Sequence, residues 1–136
     1  MGVTLKKSYN GFVSWLVGYM VALMSLSFLP AEDGALLVRL MMNMTTAALA
    51  ILAYVIYRTE QIYWYNGVEY EEAVQAGSER RKEYARRHFI RFANTAGLYL
   101  AYTLVSCLLN LHFGVDIAVA CVAITAAALS TIRIKL

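Results

Sequence analysis

Charge, proline and histidine are all scarce in this chain. Of its 136 residues, only 15% are Asp, Glu, Lys or Arg, one is proline and two are histidine. So few charges exclude a disordered tail, which stays unfolded because it is polar and charged. One proline and eight glycines exclude a collagen-like repeat. Two cysteines, Cys107 and Cys121, without CxxC spacing exclude a disulfide scaffold. Catalytic signatures are missing as well: there is no HExxH, no GxSxG, no phosphate-cradling glycine loop and no carboxylate pair inside an apolar run. Neither histidine lies in the middle of an apolar run, where a haem ligand would be expected. No enzyme activity, cofactor or metal is expected.

Apolar residues are what the chain has in abundance. They make up 60% of it, with a mean hydropathy of +0.55, against about 45–50% in an ordinary soluble domain. They are gathered into long runs, and at 1.5 Å per residue a helix of about twenty residues crosses a hydrocarbon layer about 30 Å thick. Four such spans are predicted, at residues 11–29, 35–57, 92–111 and 115–132, in a single four-helix transmembrane domain covering residues 1–136. Residues 30–34 form a short polar turn between the first two, and residues 58–91 a longer loop between the second and third. A cleaved signal peptide competes for the first run, but that run exceeds the usual apolar core of about 7–15 residues. The N-terminus is therefore expected to be retained.

Lys and Arg concentrate in Lys6 and Lys7, in the 58–91 loop and in Arg133 and Lys135, all on one side of a four-span chain. Basic short loops stay cytoplasmic. Both termini and the long loop are therefore expected in the cytoplasm, and the membrane is expected to be a bacterial cytoplasmic one. The net charge of +3 reflects this orientation and calls for no nucleic acid.

Within the loop, helix is expected to run on past Tyr57 to a break at Asn66-Gly67, since both residues tolerate positive φ. A short helix over 68–76 follows. Gly77 ends it, Ser78 is a plausible N-cap, and one continuous helix runs from Glu79 into the third span. Arg80, Arg81, Lys82, Arg86, Arg87 and Arg91 crowd the approach to the membrane. They are candidates for docking anionic headgroups, at about 1 kcal/mol per basic residue near the surface, or a partner protein. The bland alternative is a topology anchor alone.

Two spans carry polar stripes. At 100° per residue, Thr95, Tyr99, Tyr102, Thr103, Ser106 and Asn110 share one sector of the third span. Arg39, Asn43, Thr46, Ala50, Tyr54 and Tyr57 share one face of the second. The spans are antiparallel, so the stripes can meet, and Arg39 has Asp116, Glu32 and Asp33 as acidic partners on its side. Arg39 either snorkels or pairs with Asp116 to lock the bundle, or it lies at the mouth of an aqueous vestibule with Asn43, Thr46, Tyr99, Tyr102, Ser106, Asn110, His112 and Asp116. A small-residue face on the first span (Gly11, Ser14, Gly18, Ala22, Ser25) suits close helix packing. Four short spans enclose little volume, so a homo-oligomer, a dimer above all, is expected. Two functions follow: an oligomeric transporter or channel-like protein for a small anion or polar solute, or a non-catalytic accessory protein that binds a partner or anionic lipid through its basic cytoplasmic helix.

Overall fold

A computed structural model describes residues 4–30, 32–65 and 67–136. It contains four helices, α1 (Asn10–Ser27), α2 (Gly34–Thr59), α3 (Tyr70–Leu109) and α4 (Phe113–Thr131), and no strand among the described residues. Each helix is long and apolar enough to cross a membrane.

Local chemistry sets the helix ends. Beyond α1, Pro30 lacks an N–H and disfavours helical backbone at the residue before it. The Asp33 carboxylate accepts the Ala35 N–H at 2.9 Å and starts α2. Asn110 turns left-handed at φ 51° and ends α3, while the Leu111 N–H returns to the Ser106 carbonyl at 3.1 Å. His112 Nδ1 then accepts the Gly114 N–H at 3.0 Å and starts α4.

Helix α2 is the middle of the bundle and packs against α1, α3 and α4. Helix α1 docks on it through aromatic side chains: Trp15 Nε1 donates to the Ala48 carbonyl at 2.9 Å, and the Tyr19 and Thr45 hydroxyls meet at 2.7 Å. Of the small-residue face expected to pack, Gly11 lies close against the Trp64 ring, which would stand 2.8 Å from a Cβ there, but the rest of that face is not where α1 docks on α2. Ser14, Gly18 and Ser25 are exposed, and a Cβ on Gly18 would meet nothing within 4 Å. Trp15 and Tyr19 stack on each other and bring both apolar area and polar groups that α2 can satisfy, which glycine and serine cannot match.

The segment between α2 and α3 differs from expectation in one respect. Helix α2 stops at Thr59, because Glu60 turns left-handed at φ 59°; Asn66, where the break was expected, lies outside the described residues. A single 3-10 turn (Ile62–Trp64) follows. The first turns of α3 then occupy the region predicted for a short helix, and Gly77 interrupts them at φ 81°, ψ 164°. From residue 78 to 109 the helix is continuous, roughly 48 Å at 1.5 Å per residue. That exceeds the thickness of a hydrocarbon layer, about 30 Å, by more than half.

The Gly77 end of α3 takes part in a small core of its own. Ile56, Ile62, Tyr63, Ala73, Tyr84 and Ala85 are buried together, with Leu5, Ile134 and Leu136 packed against them. Both chain ends therefore meet the α2–α3 segment at one end of the bundle, hereafter the basic end. Tyr63 Oη and Trp64 Nε1 donate to the Ser8 carbonyl at 2.8 and 3.0 Å, and Tyr70 Oη to the Leu5 carbonyl at 2.7 Å. These bonds tie residues 5–8 to this small core.

Gly77 occupies backbone space that is nearly exclusive to glycine, although a Cβ there would touch nothing within 4 Å. Gly77→Ala is therefore expected to cost about 1–3 kcal/mol through backbone strain alone, read as a lower unfolding midpoint of the purified protein in detergent. An unchanged midpoint would contradict this backbone assignment.

Candidate functional site

The polar stripes of α2 and α3 meet, and α4 closes them. Arg39, 6% exposed, directs Nε at Asp116 Oδ2 at 2.9 Å, Nη2 at the Leu111 carbonyl at 2.7 Å and Nη1 at Cys107 Sγ at 3.6 Å. Every nitrogen of the guanidinium thus has a partner within the chain. Asp116 is fully buried, and its other oxygen accepts the Ser106 hydroxyl at 2.5 Å and the Tyr102 hydroxyl at 3.0 Å. Tyr99 Oη donates to the Asp116 backbone carbonyl at 3.0 Å. One turn further along α2, Asn43 Nδ2 donates to Thr103 Oγ1 at 2.8 Å and to the Arg39 carbonyl at 2.9 Å; Thr46 Oγ1 donates to the Asn43 carbonyl at 3.0 Å.

Chemically, this is a carboxylate with three side-chain donors and a guanidinium with three acceptors. Asp116 lies in the first turn of α4, where the helix dipole favours a negative charge. Of the residues singled out in the sequence, Arg39, Asn43, Thr46, Tyr99, Tyr102, Ser106 and Asp116 come together. Asn110 and His112 do not join them: both are exposed, one as the left-handed end of α3 and the other as the cap of α4. Thr103, Cys107 and the Leu111 carbonyl complete the network. Glu32 and Asp33 take no part, because Asp33 is occupied as a helix cap and both are exposed.

A second buried ion pair lies at the basic end. Glu60 receives Arg81 Nη2 at 2.8 Å and Nε at 3.0 Å, the Ser78 hydroxyl at 2.7 Å and Lys82 Nζ at 3.6 Å. Arg81 also donates to the Ala73 carbonyl at 3.1 Å and is 4% exposed. It is turned inward and is not part of the basic surface. Arg80, Lys82, Arg86, Arg87 and Arg91 remain exposed on the outward side of α3. Two of them share Glu83, whose carboxyl is held below its usual range by Arg87 at 2.9 Å and Arg86 at 3.3 Å. Nothing in the local sequence marks Glu60, which lies 21 residues before its partner Arg81.

On the core side of this helix His88 is buried between two tyrosines, with ring centroids 4.2 Å from Tyr65 and 4.3 Å from Tyr84. Its Nδ1 lies 2.9 Å from the Tyr84 carbonyl. Burial pushes the imidazole pKa down and the Tyr65 and Tyr84 hydroxyls up. A cavity of about 770 Å³ adjoins the stack, and Glu72 and Lys135 also line it. No group of three or more His, Cys, Asp or Glu suited to a metal ion occurs among the described residues.

Removing one partner of a buried pair leaves the other charge uncompensated, at about 3–5 kcal/mol. Arg39→Ala and Asp116→Ala should each destabilise the protein on that scale, and the double variant by clearly less than the sum; additive losses in detergent unfolding would show that the pair does not couple. For His88 the folded-state pKa is depressed, so the unfolded chain binds the proton more readily and stability rises with pH. Stability should be full above the unfolded value of about 6.5 and fall as the pH drops below it, and His88→Phe should flatten that fall.

Compared with known proteins, the chain matches no protein-family model, no curated protein and no solved structure.

Proposed function

We propose that the chain is a non-catalytic accessory protein of a membrane, with its basic end in the cytoplasm, where the outward side of α3 docks an acidic partner protein. The observation that carries this reading is the engagement of Arg39: each of its nitrogens is bonded within the chain. A vestibule for anions needs that guanidinium turned toward water, whereas a packed accessory bundle needs it neutralised, as the Asp116 pair does. The neighbouring polar groups are likewise satisfied by one another, in the manner of interhelical glue.

The cytoplasmic assignment rests on the gathering of Lys6, Lys7, the α3 basic residues, Arg133 and Lys135 at one end. There the core side of α3 is filled by Arg81, Tyr84, Ala85 and His88, while Arg80 and Arg86 look outward on a rigid helix. Such a surface suits an acidic partner, for which electrostatic complementarity supplies specificity and on-rate. A homodimer is compatible with this reading, because α1 leaves Ser14, Gly18 and Ser25 uncovered.

The test has two arms. A photo-crosslinker introduced at Lys82 in the native membrane is expected to give a discrete adduct that disappears in Arg80→Glu/Arg86→Glu. Proteoliposomes of the purified chain are expected to show no ion flux above protein-free vesicles. Flux that is lost in Arg39→Ala would overturn the accessory reading in favour of permeation along the α2–α3 stripe.

A further inference from the structure

The flank where α3 meets α4 holds two adjoining hollows that share Arg91. One, about 430 Å³, runs along the two helices from Arg91 to Tyr102 on α3 and from Val119 to Ser130 on α4. The other, about 360 Å³, is framed by Arg87, Arg91 and Arg133, with Ile90 and Ile134. In the sequence Arg133 counts only among the basic residues that mark one side of the chain. The fold brings it beside two arginines more than forty positions earlier.

We propose that this flank is a binding site for one anionic glycerophospholipid, with its phosphodiester between Arg91, Arg133 and Arg87 and one acyl chain along the α3–α4 groove. The first support is charge. Arg91 and Arg133 form no ion pair with any described residue, whereas Arg87 already shares Glu83. Two uncompensated guanidiniums therefore face one hollow, and a planar fork of donors suits a phosphate oxygen pair.

The second support is length. Eleven steps along either helix, at 1.5 Å each, give a groove of about 16 Å, half of a hydrocarbon layer about 30 Å thick. That is the depth of one leaflet. The third is the order of polarity along the groove. Asn94, Thr95 and Ser130 lie next to the arginines, at the level of a lipid's ester groups, and Leu98 and Val119 lie deeper. Tyr99 and Tyr102 also line the groove, but their hydroxyls are committed to Asp116, so their rings are what they offer a chain. On the α4 side, alanines leave the space open.

Neither Arg80 nor Arg86 lines the two hollows, and the proposal does not depend on a partner protein docking there. The experiment measures retention of lipid by the purified full chain in detergent by native mass spectrometry, with phosphatidylglycerol, phosphatidylcholine and inorganic phosphate as probes. Phosphatidylglycerol should be retained in preference to phosphatidylcholine. Arg91→Gln/Arg133→Gln should weaken it on the order of thirty-fold, the loss expected for two basic residues near a headgroup, while Arg80→Gln/Lys82→Gln, which touches neither the hollows nor Glu83, should leave it within about two-fold, as sites that share no partner contribute independently. Ala126→Phe, which fills the groove without touching a charge, should also release the lipid and covers the case in which the double arginine variant fails to fold. Equal loss in the two double variants would mean diffuse surface attraction and overturn the proposal. Unchanged retention in Ala126→Phe would remove the acyl chain from the groove, and displacement of the lipid by millimolar inorganic phosphate would make this a free-anion site; either overturns it.

Discussion

The buried contact between Arg39 and Asp116 is the constraint on which the remaining arrangement depends. Lipid tails are as apolar as leucine, so no hydrophobic force drives apolar helices together, and association rests on packing and interhelical hydrogen bonds. A lone guanidinium or carboxylate at this depth is costly. Their mutual attraction is offset by the cost of removing both from water, so the pair adds little net stability, whereas losing one member is severe. Its effect is on register. Arg39 lies in the second turn of α2, Ser106 in the last turn of α3 and Asp116 in the first turn of α4, so three helix ends are held at one level.

That register carries through to the other end. From Ser106 back to Arg91 is about 23 Å of helix and from Asp116 on to Arg133 about 26 Å at 1.5 Å per residue, a difference smaller than one turn. The two arginines are thereby brought to the same height beside the α3–α4 groove. Helix α2 is fixed at both ends in the same way. Arg39 and Glu60 are separated by about 32 Å at that rise, close to the thickness of a hydrocarbon layer, and each is neutralised by a buried partner of opposite sign. The second pair also accounts for the left-handed turn at Glu60: the contacts to Arg81 and Ser78 offset a conformation that a non-glycine residue rarely takes.

How much of this was legible in the sequence follows from where each constraint acts. Spans were legible because hydrocarbon forces every backbone group into a helix and every charge out of long runs. The Gly77 break was legible because only local backbone geometry decides it. Arg39 announced a partner because an intramembrane charge needs one, but three acids were within reach, and only the fold selects Asp116 by occupying Asp33 as a cap. What was not legible depends on contacts between distant residues. Arg81 looks like its neighbours Arg80 and Lys82, and nothing local shows that Glu60 draws it inward. The small residues of α1 suited close packing, yet Trp15 and Tyr19 found better partners on α2. Arg133 and Arg91 become neighbours only once α3 and α4 are aligned.

The central claim is that the polar face between α2, α3 and α4 is dry and closed by its own hydrogen bonds. Thr46, 2% exposed, lies on that face and uses its hydroxyl only within its own helix, so a cysteine there disturbs the network little. The most direct measurement is the reaction of Thr46→Cys, with Cys121 replaced by alanine and Cys107 by serine, which keeps an acceptor for Arg39 Nη1, with a charged, membrane-impermeant thiol reagent applied to either side of sealed vesicles. The account predicts no modification from either side until the protein is unfolded in detergent. Modification of the folded protein would contradict it, by showing that water reaches the middle of the stripe.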